Sequence, residues 1–321
     1  MEQLDLMVNI ITYVMVFLFG ITVGSFLNVC IYRIPLGLSI AKENSHCMTC
    51  GTPIKRYDLV PLFSWLILGG KCRACKAKIP ARYPLVEFLN GALWVLAVMK
   101  YPFSEYGVKS ITVMLFFSAL VVIGFMDWDT QEIAVSLLIA CGVFAAADYI
   151  MQLTPYVRGV ELTLGERLIG AAEISIPLLL VGFVITPLVY SLRDETRKAA
   201  KALKREISEL KKDQNADESR ISAKEEKLAE LEAEIKENGP VFGFGMGDIL
   251  LMIGGGFMLG WRSTIVAAFI GILIGAVAGM ILRRRSGESK FAFGPFLAIG
   301  LVSAVFIGEY VFSWYISMMT V

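Results

Sequence analysis

The sequence predicts an all-α, polytopic membrane protein with about eight transmembrane helices, a small cytoplasmic zinc-binding loop domain and a cytoplasmic helical hairpin insertion. Hydrophobic residues make up 56% of the chain, and the mean hydropathy is +0.65. The apolar runs are long enough to cross a bilayer, and nearly all Lys and Arg lie between them. The net charge of +1 gives no electrostatic reason to expect binding to nucleic acid.

Eight apolar runs are predicted to cross the membrane. They lie at 6–31, 83–99, 108–126, 133–150, 169–192, 248–261, 264–282 and 294–317. The first run lacks the basic start and small-residue cleavage pattern of a signal peptide, so we expect it to be retained. The sixth is short and rich in glycine, which is typical of a span that is tilted, tightly packed or re-entrant.

The distribution of basic residues predicts the orientation. With the N-terminus outside, the inside segments carry 9, 0, 12 and 4 of the 30 Lys and Arg, which leaves 5 outside. The inside segments are 32–82, 127–132, 193–247 and 283–293. This orientation places Asp127 and Asp248, at the end of the third run and the start of the sixth, on the cytoplasmic side.

The composition also predicts how the chain is divided. A first helix at 1–31 precedes a cytoplasmic four-cysteine domain at 32–82, helices two to five at 83–192, a charged segment at 193–240, and helices six to eight at 241–321. Within the charged segment, two sets of spaced apolar residues flank a turn-like stretch at 213–217, which predicts a helical hairpin. The alternative is a solvated, partly disordered linker. The apolar residues are Leu203, Ile207 and Leu210, then Ile221, Leu228, Leu231 and Ile235.

Four cysteines in the first cytoplasmic segment have the spacing of a zinc site. Cys47 and Cys50 form one CxxC pair, Cys72 and Cys75 form a second, and 21 residues separate the pairs. Two disulfides are the alternative, but a reducing cytoplasm disfavours them. Because four thiolates complete a tetrahedral shell, we expect a structural zinc ion rather than a catalytic one.

Two aspartates are candidates for paired-carboxylate chemistry. Ionisable groups at membrane helices are costly, so they tend to be paired or functional. Two carboxylates within a few ångströms tend to share one proton, so that one can act as a base and the other as an acid. The alternative is that Asp127 and Asp248 are helix-end residues at the water interface, with Asp248 as an N-cap. Spacing alone also leaves Asp129 as a rival to Asp127.

The chain resembles a known family, the type IV prepilin peptidases. The resemblance rests on six motifs that occur in the family's order. The first begins Gly24-Ser-Phe-Leu-Asn28 and ends Tyr32-Arg33-Ile-Pro35, and the second is the two CxxC pairs. The others are Asp58-Leu-Val-Pro61 with Ser64-Trp65, Arg82-Tyr-Pro-Leu-Val-Glu87, the Asp127 segment and Gly245-Met-Gly247-Asp248. The order and spacing of these motifs extend over most of the chain.

The resemblance implies an activity, its site and its partners. Asp127 and Asp248 match the family's catalytic pair, which favours Asp127 over Asp129. The implied reaction is cleavage of prepilin or pseudopilin leaders after a glycine, at the cytoplasmic face of a bacterial inner membrane. Members with the four-cysteine loop commonly also methylate the new N-terminus with S-adenosylmethionine. Pilus or secretion-system assembly proteins are further implied partners, besides membrane lipid.

Gly245 and Gly247 are predicted to admit either an extended substrate or a facing helix close to Asp248. Two departures from the family pattern are present. Ala134-Val135 replaces the usual Pro-Asp or Pro-Asn, and the charged segment replaces a short loop. Two other classes of function compete with the peptidase. A transporter would use the acids to relay protons or bind cations, and a scaffold would recruit partners through the zinc loop and hairpin.

Overall fold

The structure is a computed structural model that describes residues 2–42, 44–154, 162–188, 195–210, 218–237, 245–286 and 292–320. These residues form two compact units, one of Met1–Ser175 with Gly247–Val321 and one of Ile176–Met246. The described residues form helices joined by turns and irregular segments, with isolated β-bridges at His46–Pro53 and Lys71–Lys78 and no strand. The prediction of an all-α protein is confirmed.

The helices follow the order of the predicted spans. They are α1 Glu2–Arg33, α2 Phe63–Ile67, α3 Arg82–Lys100, α4 Phe103–Tyr106, α5 Val108–Thr130, α6 Val135–Gln152, α7 Leu164–Glu173, α8 Ser175–Leu179, α9 Glu195–Leu210, α10 Glu218–Glu237, α11 Met246–Leu259, α12 Trp261–Ser286 and α13 Gly294–Met319, with a 3₁₀ turn at Arg56–Leu59 and a π-helical segment at Leu180–Ile185.

In the described part of the chain, six helices are long and apolar enough to cross a bilayer. The predicted spans at 83–99 and 248–261 correspond to two further helices, the 19-residue α3 and the 14-residue α11, which are more polar or shorter. The fifth span begins at Leu164 rather than at 169, because Thr163 and Glu166 form a capping box. The chain is therefore a multi-pass membrane protein, with helices close in number to the eight predicted.

A buried polar network joins α1, α3 and α5. The amide nitrogen of Asn90 donates to the Gly20 carbonyl at 2.7 Å, and its oxygen accepts from Ser118 at 2.8 Å. The Trp94 indole donates to the same hydroxyl at 2.9 Å. A Cβ on Gly20 would lie 2.7 Å from the Gly91 Cα, so the helices touch through their backbones. Small residues combined with interhelical hydrogen bonds are the usual way in which helices associate in lipid.

Three consecutive glycines allow α11 to pack against three other helices. A Cβ on Gly256 would lie 2.1 Å from the Gly170 carbonyl of α7, and one on Gly255 would lie 2.5 Å from Leu301 of α13. Gly254 faces Cys141 of α6 at 3.5 Å. The glycine-rich sixth span is thus tightly packed, which is one of the three predicted alternatives. Since α11 begins with the Asp248 segment, this packing fixes the position of that acid.

A buried ion pair lies at the other end of the same helices. Asp148 of α6 and Arg167 of α7 are almost completely buried and bond at 2.7 Å. Gln152 and Thr112 donate to the same carboxylate at 2.9 and 3.1 Å. Arg167 also donates to the Phe257 carbonyl at 3.0 Å, close to the end of α11. The pair therefore joins four helices.

We expect Arg167→Met to destabilise the protein by about 3–5 kcal/mol, because it leaves the Asp148 charge buried without its cation. Arg262→Met is the matched control. Arg262 lies 3.7 Å from Glu309, and both side chains are about half exposed, so its removal should cost at most about 1 kcal/mol. Thermal unfolding of both variants in detergent measures the difference. Equal unfolding temperatures would show that the buried pair contributes no more than the surface pair.

The second unit contains the predicted hairpin. Helices α9 and α10 are joined by ion pairs, with Lys204 3.4 Å from Glu232 and Lys224 2.6 Å from Glu206. Ile207 is buried, and the other predicted apolar positions whose side chains are described are less exposed than their neighbours. The predicted turn at 213–217 lies outside the described residues.

Candidate active site and metal centre

Asp127 lies in the last turn of α5 and is buried. The backbone N–H of Gly294, the first residue of α13, donates to its Oδ2 at 2.8 Å. The helix ends at Thr130, and the next residue, Gln131, takes a left-handed conformation (φ 55°) in which its N–H bonds the Asp127 carbonyl. Asp127 therefore lies between the end of its own helix, α5, and the start of α13, which is distant in sequence but in contact with it.

Asp248 lies in the first turn of α11 and is also buried. The following residue, Ile249, is buried as well, and its carbonyl lies 3.5 Å from the Ser175 hydroxyl. Both aspartates therefore belong to the first unit, and each lies at a helix end rather than in the middle of a long apolar helix.

Ile133 joins the surroundings of the two acids. A Cβ on Gly247, the neighbour of Asp248, would lie 3.0 Å from the Ile133 Cβ. A Cβ on Gly294, which bonds Asp127, would lie 3.2 Å from the Ile133 Cδ1 and 2.7 Å from Asp127 Oδ2. One side chain is therefore in contact with the glycines beside both aspartates, which brings residues from α5, α11 and α13 to one place.

Asp129 has different surroundings. Its carboxylate bonds Arg82 of α3 at 2.6 Å, and both side chains are 35% exposed. The Arg82 guanidinium also lies over the Phe125 ring, 5.2 Å from its centroid. A half-exposed acid already paired with arginine is less suited to sharing a proton with a second carboxyl than the buried Asp127 is.

The two predicted substrate-binding glycines have different surroundings. Gly245 is exposed, whereas Gly247 is half-buried against Ile133. The close approach at Gly247 is made by Ile133 in the non-helical segment between α5 and α6, which is neither of the two predicted neighbours, and substrate binding at Gly247 stays a prediction. At Gly245, space for an extended chain remains a prediction.

Sequence patterns did not identify the backbone group that bonds Asp127, nor the partner of Glu87. The N–H of Gly294 is a backbone donor far along the chain, and only the Gly294-Pro295 pair hints at a helix start there. For Glu87, which lies in the Arg82–Glu87 motif, the sequence allowed a functional or loop-docking role or a solvated position at a helix end. Glu87 is buried in α3, and its Oε2 accepts the Leu62 N–H at 2.7 Å. Glu87 therefore attaches the four-cysteine loop to a membrane helix.

The four cysteines converge as their spacing predicts. Their Sγ atoms all lie within 4.8 Å of one another, and those of Cys47 and Cys75 are 3.8 Å apart. Each pair sits in a matching turn. In the first, the Cys47 N–H bonds the Thr52 carbonyl at 2.9 Å, and in the second the Cys72 N–H bonds the Ala77 carbonyl at 2.8 Å. The cluster can hold a metal ion.

Hydrogen bonds from backbone N–H groups change the pKa values of these thiols. The N–H groups of Cys50 and Thr49 lower the pKa of Cys47, and those of Cys75 and Ala74 lower the pKa of Cys72. The Ala77 N–H also acts to lower the pKa of Cys75, but burial and contact with the other three thiols raise it to about 11. The pKa of Cys50 is also lowered, mainly by its hydrogen bond with Thr52, so three of the four thiols lose their protons more readily than an ordinary cysteine. A bound cation would displace the remaining thiol protons.

The two turns differ at one position. After Cys47 and Cys50 the left-handed position is taken by Gly51 (φ 69°), but after Cys72 and Cys75 it is taken by Lys76 (φ 61°). A non-glycine residue in this conformation costs about 1–2 kcal/mol. We expect Lys76→Gly to stabilise the loop by about 1 kcal/mol, and Lys76→Ala to leave it nearly unchanged. The chelator concentration that removes half of the bound metal measures this. A lower concentration for Lys76→Gly than for the unmodified chain would contradict the prediction.

The fold and site together define a multi-pass helical membrane protein with a four-thiol metal cluster and two buried aspartates at helix ends. A family model described as the bacterial peptidase A24 N-terminal domain matches residues 18–101. A prepilin leader peptidase/N-methyltransferase of Aeromonas salmonicida is 28% identical over 94% of this chain and 93% of its own length. One from Bacillus subtilis is 26% identical over 94% and 97%.

A protein of Escherichia coli named type 4 prepilin-like proteins leader peptide-processing enzyme is 28% identical over 90% of this chain and 91% of its own. No solved structure matches. The chain is therefore similar over nearly its whole length to prepilin leader peptidases, and its residues 18–101 match the N-terminal domain of the bacterial A24 peptidases. The names of these relatives describe peptidases, and none describes transport.

Proposed function

We propose that the chain is an aspartyl endopeptidase that cleaves the leaders of type IV prepilins or type II secretion pseudopilins after a glycine, with Asp127 and Asp248 as its catalytic pair. One observation carries the assignment. Both acids are buried at helix ends in one compact unit, and Ile133 contacts the glycines beside both. The peptidase names of the full-length relatives support the reaction class.

In this mechanism the two carboxyls share one proton, so one is ionised and the other is protonated. The ionised carboxylate takes a proton from water as the water oxygen attacks the carbonyl carbon of the scissile bond, and the protonated carboxyl gives its proton to the carbonyl oxygen. The tetrahedral diol then collapses. The C–N bond breaks as the proton taken from water passes to the leaving amine nitrogen, and one diol hydroxyl returns its proton to the other carboxylate, which restores the shared-proton pair. No covalent enzyme intermediate forms.

The surroundings of Asp127 suit this reaction. Because the Gly294 N–H holds Oδ2 at 2.8 Å, we assign proton transfer to Oδ1. A bond from a rigid backbone donor keeps the carboxyl in one orientation, which reduces the reorganisation needed during the reaction. The closeness of Gly294 also explains why this position is glycine, since a Cβ there would collide with Asp127.

A groove at the same end of α5, on the face that carries Phe125, Trp128 and Asp129, is the proposed position of the substrate segment next to the scissile bond. It has a volume of about 450 Å³ and is lined by Ala81, Arg82, Leu85, Phe125, Trp128 and Asp129. Its apolar walls and its single exposed ion pair suit a short extended peptide with both apolar and polar side chains.

The four-cysteine cluster is proposed to bind a structural zinc ion. Four sulfurs at 2.3 Å from one zinc ion lie about 3.8 Å apart, which is the distance between Cys47 and Cys75. With Cys47, Cys50, Cys72 and Cys75 as ligands the shell is complete, so zinc would fix the loop and take no part in peptide cleavage.

A second activity, methylation of the new N-terminus, is proposed because the relatives are named N-methyltransferases. S-adenosylmethionine would supply the methyl group. We assign no residue to this donor. The two ionic side chains that line the groove, Arg82 and Asp129, are already paired with each other.

The proposed location is the bacterial inner membrane, with both aspartates at the cytoplasmic side. The distribution of basic residues supports this orientation. Prepilins or pseudopilins are the proposed substrates, and assembly proteins are proposed partners of the α9–α10 hairpin.

The experiment that tests the proposal is cleavage of a purified prepilin by the protein reconstituted in vesicles. Mass spectrometry of the product identifies the bond that is cut and detects an added methyl group when S-adenosylmethionine is supplied. The proposal expects a new N-terminus directly after a glycine. No cleavage by a folded, metal-loaded preparation, tested on several prepilins and pseudopilins, would reject it.

A further inference from the structure

The short helix α2 in the four-cysteine loop exposes its apolar side. Phe63, Leu66 and Ile67 lie at positions i, i+3 and i+4, which share one face of a helix, and they are 50, 66 and 80% exposed. Ser64, on the opposite face, is buried and bonds the Tyr57 carbonyl at 3.0 Å. This arrangement is the reverse of a helix on a water-soluble domain, where the apolar face is covered.

The surface is larger than α2 alone. Tyr57, Leu59 and Val60 in and after the preceding 3₁₀ turn are also exposed. Several exposed apolar side chains within eleven consecutive residues favour a contact with another molecule or with a membrane. We call these six residues the α2 patch.

The attachment of α2 determines its level relative to the membrane helices. The N–H of Leu62, directly before α2, bonds Glu87, which lies five residues into α3. Glu87 is also the residue against which Gly24 of α1 packs, since a Cβ on Gly24 would lie 2.7 Å from the Glu87 Cα. Gly24 is nine residues before the end of α1, or about 13 Å along its axis. The loop thus folds back to a level five residues inside α3 and nine residues before the end of α1.

The charge of the loop fits an anionic membrane surface. Residues 44–81 contain six Lys or Arg and one acid, Asp58. That acid is paired with Arg73 at 2.6 Å. Lys55 and Arg56 flank the start of the patch, Lys71 follows its end, and all three are exposed. Basic residues beside an apolar face are typical of elements that lie in the headgroup region of a bilayer, with the apolar face about 5–10 Å deep.

We propose that the α2 patch is inserted into the bilayer interface at the side where α1 ends, with the flanking cations on lipid phosphates. The occupant of this surface is therefore lipid. An inserted patch would hold the four-cysteine cluster against the membrane surface instead of leaving it free in solution. The hydrophobic helix of a protein substrate is the competing occupant, and the experiment below distinguishes the two.

The test uses the full chain in vesicles of phosphatidylethanolamine and phosphatidylglycerol, with a fluorescent amino acid at Ile67. A second preparation carries the probe at Thr49, an exposed position in the first cysteine turn. Lipids with brominated acyl chains should quench the Ile67 probe several-fold more than the Thr49 probe, and aqueous iodide should do the opposite. Metal content shows that both preparations are folded, and a probe at Leu66 repeats the measurement.

Equal quenching of both probes by iodide would overturn the proposal. Shielding of Ile67 that appears only after a prepilin is added would also overturn it, and would assign the patch to the substrate helix. Shielding without substrate supports the lipid contact, whatever the catalytic activity of the preparation.

Discussion

Asp127→Asn and Asp248→Asn should each reduce prepilin cleavage by on the order of 10⁴-fold, the size of effect seen when one member of a catalytic unit is removed. Asparagine has nearly the same shape as aspartate, but it can neither ionise nor take up a proton from water. At position 127 its side-chain oxygen can still accept the Gly294 N–H, so the fold should survive. Cleavage rates, together with thermal unfolding of each variant in detergent, measure both effects.

Asp129→Asn is the matched control for this prediction. It changes the same chemical group two residues away, in the same helix, but it breaks a half-exposed ion pair with Arg82. Such pairs contribute at most about 1 kcal/mol, so activity should stay within about tenfold of the unmodified protein. A loss at Asp129 as large as that at Asp127 would remove the basis for choosing between them.

Cys72→Ser should abolish metal binding and unfold the four-cysteine loop. The expected effect is large, because structural zinc sites contribute about 10–16 kcal/mol of binding free energy, which is also folding free energy. Elemental analysis of the unmodified protein should give about one zinc ion per chain. In the variant, amide exchange should become fast in α2, whose start is attached to Glu87.

Cys30→Ala is the control for the metal prediction. Cys30 is a buried thiol in α1, away from the cluster, so its removal should leave zinc occupancy unchanged. Full zinc occupancy in Cys72→Ser would contradict the four-cysteine ligand set. Unchanged exchange in α2 after metal loss would contradict the structural role of zinc.

Local patterns in the sequence predicted those parts of the structure that depend on residues close together in the chain. The spacing of Cys47, Cys50, Cys72 and Cys75 predicted a cluster, and the structure places their sulfurs together. Apolar periodicity predicted the hairpin of α9 and α10. Helix boundaries were less accurate. The fifth span begins earlier than predicted because a capping box outside the apolar run determines its start.

Contacts between distant segments could not be predicted in the same way. The N–H of Gly294 that bonds Asp127 is a backbone group, and every residue except proline has one. Asp148 and Arg167 are unremarkable polar residues near the ends of predicted spans until the helices pack and bury them together. Glu87 was recognisable by its motif, but its partner is a backbone N–H of Leu62 in a loop. In each case tertiary packing determines the partner, and local patterns in the sequence do not predict which residue that partner is.

The central claim is that Asp127 and Asp248 come together, and chemical cross-linking tests it most directly. In a chain whose Cys30 and Cys141 are replaced by alanine, Asp127→Cys and Asp248→Cys are introduced with a protease site in 211–217, so that cutting separates them into two fragments. If the four-cysteine cluster binds zinc as proposed, the metal protects the loop cysteines from the reagent. Trp128→Cys with Phe296→Cys, whose rings lie 6.5 Å apart, is the positive control. Asp127→Cys with Met258→Cys, at the far end of α11, is the negative control.

If Asp127 and Asp248 form a catalytic pair, a short thiol-bridging reagent should join the two fragments in the 127–248 variant and in the positive control. It should not join them in the 127–258 variant. If the positive control is joined and the 127–248 variant is not, the two carboxyls do not meet, and the proposed catalytic pair is wrong.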